Sequence, residues 1–121
     1  MREEDIFPVL RVANTSNALS WYERLGFHLE VEHAKGPELR ARAVINRGDL
    51  RMCLSEHQDD GPPEGVVYLR VLDVDPIAKE FNVTVQKVNW FAREVELRDP
   101  DGNRIRVISV EGLRTPAAST P

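Results

Sequence analysis

Positions 93–108 read REVELRDPDGNRIRVI, and their charged side chains pose the chemical question. In two strands of period two, Glu94, Glu96, Arg98, Arg104 and Arg106 fall on one face. Forked guanidinium donors in such a row suit an anionic or oxygen-rich ligand. Interleaved with glutamates, they equally suit a solvated network of salt bridges, and both readings stay open. The chain has three histidines, His28, His33 and His57. By strand parity His28 and Glu30 share a face, His33 falls on the other, and His57 lies in a polar stretch, so no two histidines form a metal pair. The single cysteine, Cys53, sits in LRMCLS as a small apolar residue. It excludes an intramolecular disulfide and a cysteine-based zinc cage. No nucleophile–base pair can be assembled, so no catalytic residue is assigned.

The elements that must position these residues follow from the periodicities. Phe7, Val9 and Arg11 alternate with Leu10 and Val12 as a strand. NTSNALSWYERLGF opens on cap residues, carries an apolar stripe and ends with Gly26, as a helix does. FHLEVEH, RARAVIN and LRMCLS alternate again, the last two around the turn NRGD. The polar stretch EHQDDGPPEG at 56–65 reads as a linker. Beyond it come strand VVYLRV, short helix DVDPIAKEF, strand VTVQKV, and the hairpin REVELR and NRIRVI.

The order β-α-β-β-β therefore occurs twice. VLRVANTSNALSWY runs beside YLRVLDVDPIAKEF, and ARAVINRGDLRMCLS beside VELRDPDGNRIRVIS. The expected fold is α+β: two repeated β-α-β-β-β modules, each with one sheet face covered by its helix and the other helping to enclose a cup. The whole of 1–121 is read as one domain, with module one at 6–55, the linker at 56–65, module two at 66–110 and a loose tail at 111–121. A length of 121 residues suits one domain, and 41% hydrophobic with 30% charged residues describes a soluble globular chain. The net charge of −4 argues against a nucleic-acid partner. No apolar run has the length of a membrane span or signal segment, and the expected location is the cytoplasm.

VANTSNALSWYERLGF, VYLRVLDVD and WFAREVELRDPDGNRIRV resemble the vicinal oxygen chelate superfamily of glyoxalases, bleomycin-resistance proteins and extradiol dioxygenases. The resemblance runs over positions 6–110 and is strongest to bleomycin-resistance-type binding proteins. It implies a ligand held in the cup. Metal-dependent members hold a divalent ion with His, Glu or Gln on the cup side of the first and last strands of each module. Carried over, those positions are Phe7, Val66 and Arg106, with a module-one equivalent near Arg51 or Cys53. Phe7, Val66 and Arg106 offer no lone pair to a cation, so no cofactor is expected.

Parity then turns Phe7, Val9, Arg42 and Cys53 toward the cup, and places Arg11, Arg51, Tyr68, Arg70, Glu94, Glu96 and Arg106 there as ligand-binding residues. Trp90 and Phe91 join Tyr68 as flat contacts. In bleomycin-resistance proteins the positions of Tyr68 and Phe91 carry aromatic residues that stack on the drug. The expected function is metal-independent binding of a small molecule, by sequestration of an antibiotic or metabolite, in a homodimer. The alternative is a divergent metal-dependent lyase, dioxygenase or thiol transferase built on His28 and Glu30 with Glu94 or Glu96.

Overall fold

The computed structural model describes residues 4–35, 40–89 and 92–110. Trp90, Phe91 and the tail 111–121 lie outside the described residues. The elements run β1 (Val9–Arg11), α1 (Thr15–Arg24), β2 (His28–Lys35), β3 (Arg40–Arg47) and β4 (Leu50–Ser55), then a 3₁₀ turn at Gln58–Asp60. They continue as β5 (Val66–Arg70), α2 (Asp75–Phe81), β6 (Gln86–Asn89), β7 (Ala92–Arg98) and β8 (Arg104–Val110). The two four-stranded sheets have the orders β1-β4-β3-β2 and β5-β8-β7-β6. The same connectivity twice is what the internal repeat requires, and the fold is α+β.

The chain divides into two compact units. Among the described residues, 98–104 group with those up to 65 in the first unit, and 105–110 with those from 66 to 97 in the second. The tip of the DPDGN hairpin thus belongs by its contacts to the first unit.

In the first unit β1 pairs with β4 in parallel, and β4-β3-β2 are antiparallel. Leu10, Val12, Ala41, Ala43, Ile45, Met52 and Leu54 are buried on the face that receives Ala18 and Tyr22 of α1 and Leu25 at its C-cap. Asn14 caps that helix: its side chain accepts from the Asn17 amide at 2.9 Å. At the other end Gly26 adopts φ +93, which carries the chain into β2. A Cβ there would come within 2.7 Å of Arg47 Nη1, and that nitrogen donates to the Leu25 carbonyl at 2.6 Å.

The second unit buries Leu69, Val71, Val74, Ile77, Ala78, Ala92, Val95, Leu97, Ile105 and Val107. Pro76 lies in the first turn of α2 and Asn82 ends it in the left-handed region at φ 54. That exit delays β6, which begins at Gln86 and not at Val83 as the alternation of VTVQKV suggests.

One departure matters for the site. In β2 the pairing steps from Leu29↔Ile45 to Val31↔Val44, so Glu30 is an extra residue, a β-bulge. Parity changes there. Glu30, Val31 and His33 end on the face away from α1, which corrects the reading that set His33 opposite Glu30. The stretch 56–65 is also more than a spacer. Glu56 Oε2 accepts the Thr15 amide at 2.9 Å and Oε1 the Ala41 amide at 3.0 Å, tying it to the start of α1 and to β3.

Candidate functional site

The face of the first sheet turned away from α1 holds a hollow of about 380 Å3 lined by Phe7, Val9, Val31, His33, Arg42, Val44, Cys53 and Asp60. Strand register makes the lining: Val9 lies beside Cys53, Cys53 beside Val44, and Val44 beside Val31. Four adjacent strands each place one such residue on the same face, giving a carbon-rich floor. Its large apolar groups are open to solvent, with Phe7 at 36%, Val9 at 41% and Val31 at 52% exposure. Exposed branched and aromatic carbon gathered in one concavity is the usual composition of a small-molecule site.

One end of the hollow is polar. Arg42 grips Asp60 with both arms of its fork, Nε to Oδ2 at 2.7 Å and Nη2 to Oδ1 at 3.2 Å. The Ser55 hydroxyl donates to the same carboxylate. These bonds, Arg42 first and Ser55 second, hold the Asp60 carboxyl down at about 2. Cys53 is buried and its thiol is pushed upward, chiefly by desolvation, so it presents neutral sulfur. His33 pairs across from Arg42 and is exposed.

The expected site residues of this unit lie on the foreseen face but outside the hollow. Arg51 donates to Glu30 Oε1 from Nε and to Asp5 Oδ2 from Nη1, both at 3.0 Å. Arg11 reaches the Gly61 carbonyl over a long 3.4 Å and lines a smaller cleft of about 160 Å3 with Val12, Ala13, Pro63, Glu64 and Asp101. Glu30, one member of the alternative metal set, is taken by Arg51 and by Asn46 Nδ2 at 3.2 Å.

In the second unit the outward sheet face carries Val66, Tyr68, Arg70, Glu94, Glu96 and Arg106. Three of them meet. Arg106 donates from Nη1 to the Tyr68 hydroxyl at 2.9 Å and from Nε to Glu96 Oε1 at 3.1 Å. Its guanidinium carbon lies 5.6 Å from the Tyr68 ring centroid. Arg70 is exposed on β5 and Glu94 half-buried on β7. Trp90 and Phe91 fall outside the described residues.

Val31, His33, Val44 and Asp60 are the lining residues that sequence reasoning missed. The bulge hides the first two, and Asp60 comes from the segment read as a linker. Val44 was findable, because it shares parity with Arg42.

A sequence profile described as glyoxalase superfamily protein matches residues 1–112. The chain belongs to the glyoxalase superfamily. Solved structures share its fold at low identity. A bleomycin-binding protein complexed with bleomycin superposes with a TM-score of 0.70 at 22% identity, over 89% of this chain and 99% of that one. A bleomycin resistance determinant encoded on the transposon Tn5 gives 0.64 at 22%, over 89% and 98%. TnmS3, an antibiotic binding protein from Streptomyces sp. CB03234, gives 0.67 at 21%, over 92% and 99%. No curated protein matches the chain.

The superfamily's divalent ion does not suit the residues at its expected positions. Phe7 and Val66 have no donor atom, and the Arg106 guanidinium is a cation seated against Glu96. Among the described residues no group of three His, Cys, Asp or Glu side chains is placed to hold a metal. No described helix is long and apolar enough to cross a membrane.

Proposed function

We propose that this chain is a metal-independent small-molecule binding protein of the glyoxalase superfamily. The observation that carries the reading is the lining of the hollow. Phe7, which stands at the first-strand ligand position, contributes aromatic carbon, and Val9, Val31, Val44 and Cys53 extend that surface. Such a floor gains affinity from burying apolar ligand area, about 25 cal/mol per Å2 before the losses of association. The Arg106–Tyr68–Glu96 cluster supplies a second, polar and aromatic, contact surface in the other unit, on the face that also carries Arg70 and Glu94; Arg11 and Arg51 are assigned to the first unit's own open face.

Structural neighbours described as a bleomycin-binding protein and an antibiotic binding protein support sequestration of an antibiotic or metabolite over its conversion. The homodimer is part of the proposal. Each sheet ends in two edge strands, the kind of element on which a second copy can pair, and apolar Leu72 is 88% exposed.

The test is a thermal-shift panel of aromatic compounds, run in chelator on protein whose metal content has been measured. Saturable stabilisation by at least one compound, undiminished by chelator, is the expected result. Stoichiometric metal, or stabilisation that needs added divalent ions, would overturn the reading.

A further inference from the structure

The hollow of the first unit carries a charge arrangement that bears on which ligands it admits. Arg42 is the guanidinium in its lining, and two of its three nitrogens are already committed to Asp60 at 2.7 and 3.2 Å. The carboxylate is itself anchored from behind by Ser55, which is completely buried. The 3₁₀ turn Gln58–Asp60 thus delivers an anion to the polar end of a largely apolar hollow, and the anion cancels the Arg42 cation there. A ligand carboxylate approaching Arg42 meets a fixed carboxylate within hydrogen-bonding distance of the same guanidinium. Like charges so close cost several-fold in affinity or more. An uncharged ligand meets no such penalty, and Arg42 Nη1 makes no hydrogen bond among the described residues, so it can still donate to a neutral acceptor.

We propose that Asp60 is the specificity-determining residue of this hollow: by closing on Arg42 it selects an uncharged, flat apolar molecule bearing a hydrogen-bond acceptor and rejects the carboxylate of the same ring system. The proposal rests on the binding reading above and adds the ligand class and the residue that sets it. Charge complementarity is the reason for a small neutral ligand as occupant. The hollow's one ion pair is internally balanced, and its volume of about 380 Å3 falls within the range of small-molecule sites, about 300–1,000 Å3.

The experiment compares 2-naphthol with 2-naphthoate, the same rings neutral and anionic at pH 7, by calorimetric titration of the full chain. The wild type is expected to bind the naphthol about tenfold or more tighter. Asp60→Asn should shift the naphthoate-to-naphthol affinity ratio by about tenfold or more toward the anion, and Asp60→Asn with Arg42→Gln should abolish that shift. Equal or tighter naphthoate binding by the wild type overturns the selectivity while leaving small-molecule binding in place, and this holds even if the variants do not fold. Binding of neither probe overturns the binding reading of the hollow as well.

Discussion

Tyr22 and Asp99 lie 77 residues apart in sequence and share a buried hydrogen bond of 2.7 Å, phenol Oη to carboxylate Oδ2. Asp99 Oδ1 also accepts from the amides of Asp101 and Asn103, and Oδ2 from Asn103 Nδ2, each at 2.9 Å. Asn103 in turn donates to the Arg11 carbonyl at 2.9 Å and accepts from the Gly65 amide at 2.7 Å. The Asp-Pro-Asp-Gly-Asn turn, read from sequence as a hairpin tip, is therefore also the polar anchor that joins α1, β1 and the segment before β5. Burial, and then the neighbouring Asp99 charge, drive the Tyr22 hydroxyl far above its ordinary ionisation range, so it stays a donor at every working pH.

Removing that donor with Tyr22→Phe leaves the buried Asp99 carboxylate with three hydrogen bonds. The expected loss is about 1.5–3 kcal/mol, the scale of one buried bond to a charged acceptor. Chemical denaturation measures it directly. A loss below a few tenths would show that the node contributes nothing to stability.

Glu56 satisfies two backbone donors at once, one of them among the amides that the start of α1 leaves without helical partners. Burial works against its charge, but the Thr15 and Ala41 amides outweigh it and hold the carboxyl below the ordinary range. Glu56→Ala should lower stability by about 1–3 kcal/mol. Glu56→Gln, which keeps one acceptor oxygen, should recover roughly half of that loss. The comparison of the two in urea melts separates lost hydrogen bonds from lost packing.

Acid should weaken the Arg42–Asp60 pair over a defined window. The Asp60 carboxyl stands at about 2 in the folded chain against 3.8 ordinarily. A depressed folded value means the stabilisation is complete above the ordinary value and is lost as the pH falls from there to the folded one. The stability difference between wild type and Asp60→Asn should thus be constant from pH 7 to about 5 and shrink from about 4 to about 2. A difference that stays level through that window would show that the pair is broken in solution.

Cys53 offers a reporter inside the hollow. Its thiol is buried and shifted upward by desolvation, so alkylation near neutral pH should run well below the rate of a free thiol peptide. A ligand seated on Val9, Val44 and Cys53 should slow it further. Labelling followed by mass spectrometry checks both points. Labelling at the free-thiol rate would contradict the burial, and a rate indifferent to saturating ligand would place the ligand elsewhere.

Much of the architecture is legible in the residues. The alternation of RARAVIN and LRMCLS, the Asn14 cap and the glycine exits at Gly26 and Gly102 encode local geometry, and two copies of one pattern encode the paired sheets. Alternation also put Phe7, Val9, Arg42 and Cys53 on the open face. The bulge at Glu30 was hidden because FHLEVEH contains no glycine or proline to mark it, and one extra residue reverses the parity of all that follows. The partners of the arginines were hidden for a different reason. Asp60 reaches Arg42 from 18 positions away and Glu30 reaches Arg51 from 21, and residue type alone does not reveal which carboxylate closes on which guanidinium. Arginines that read as free anion receptors are, in Arg42, Arg51 and Arg106, already held by carboxylates.

The central claim is that the chain binds a small molecule on its apolar sheet face with no metal. The most direct test is calorimetric titration of metal-analysed protein with 2-naphthol in excess chelator, repeated with Val44→Asp, which places a charge in the floor of the hollow. Saturable one-site binding by the wild type, lost in a variant whose far-ultraviolet spectrum is unchanged, is the predicted result. Binding that appears only with added divalent ions, or that survives the floor charge intact, would contradict the account.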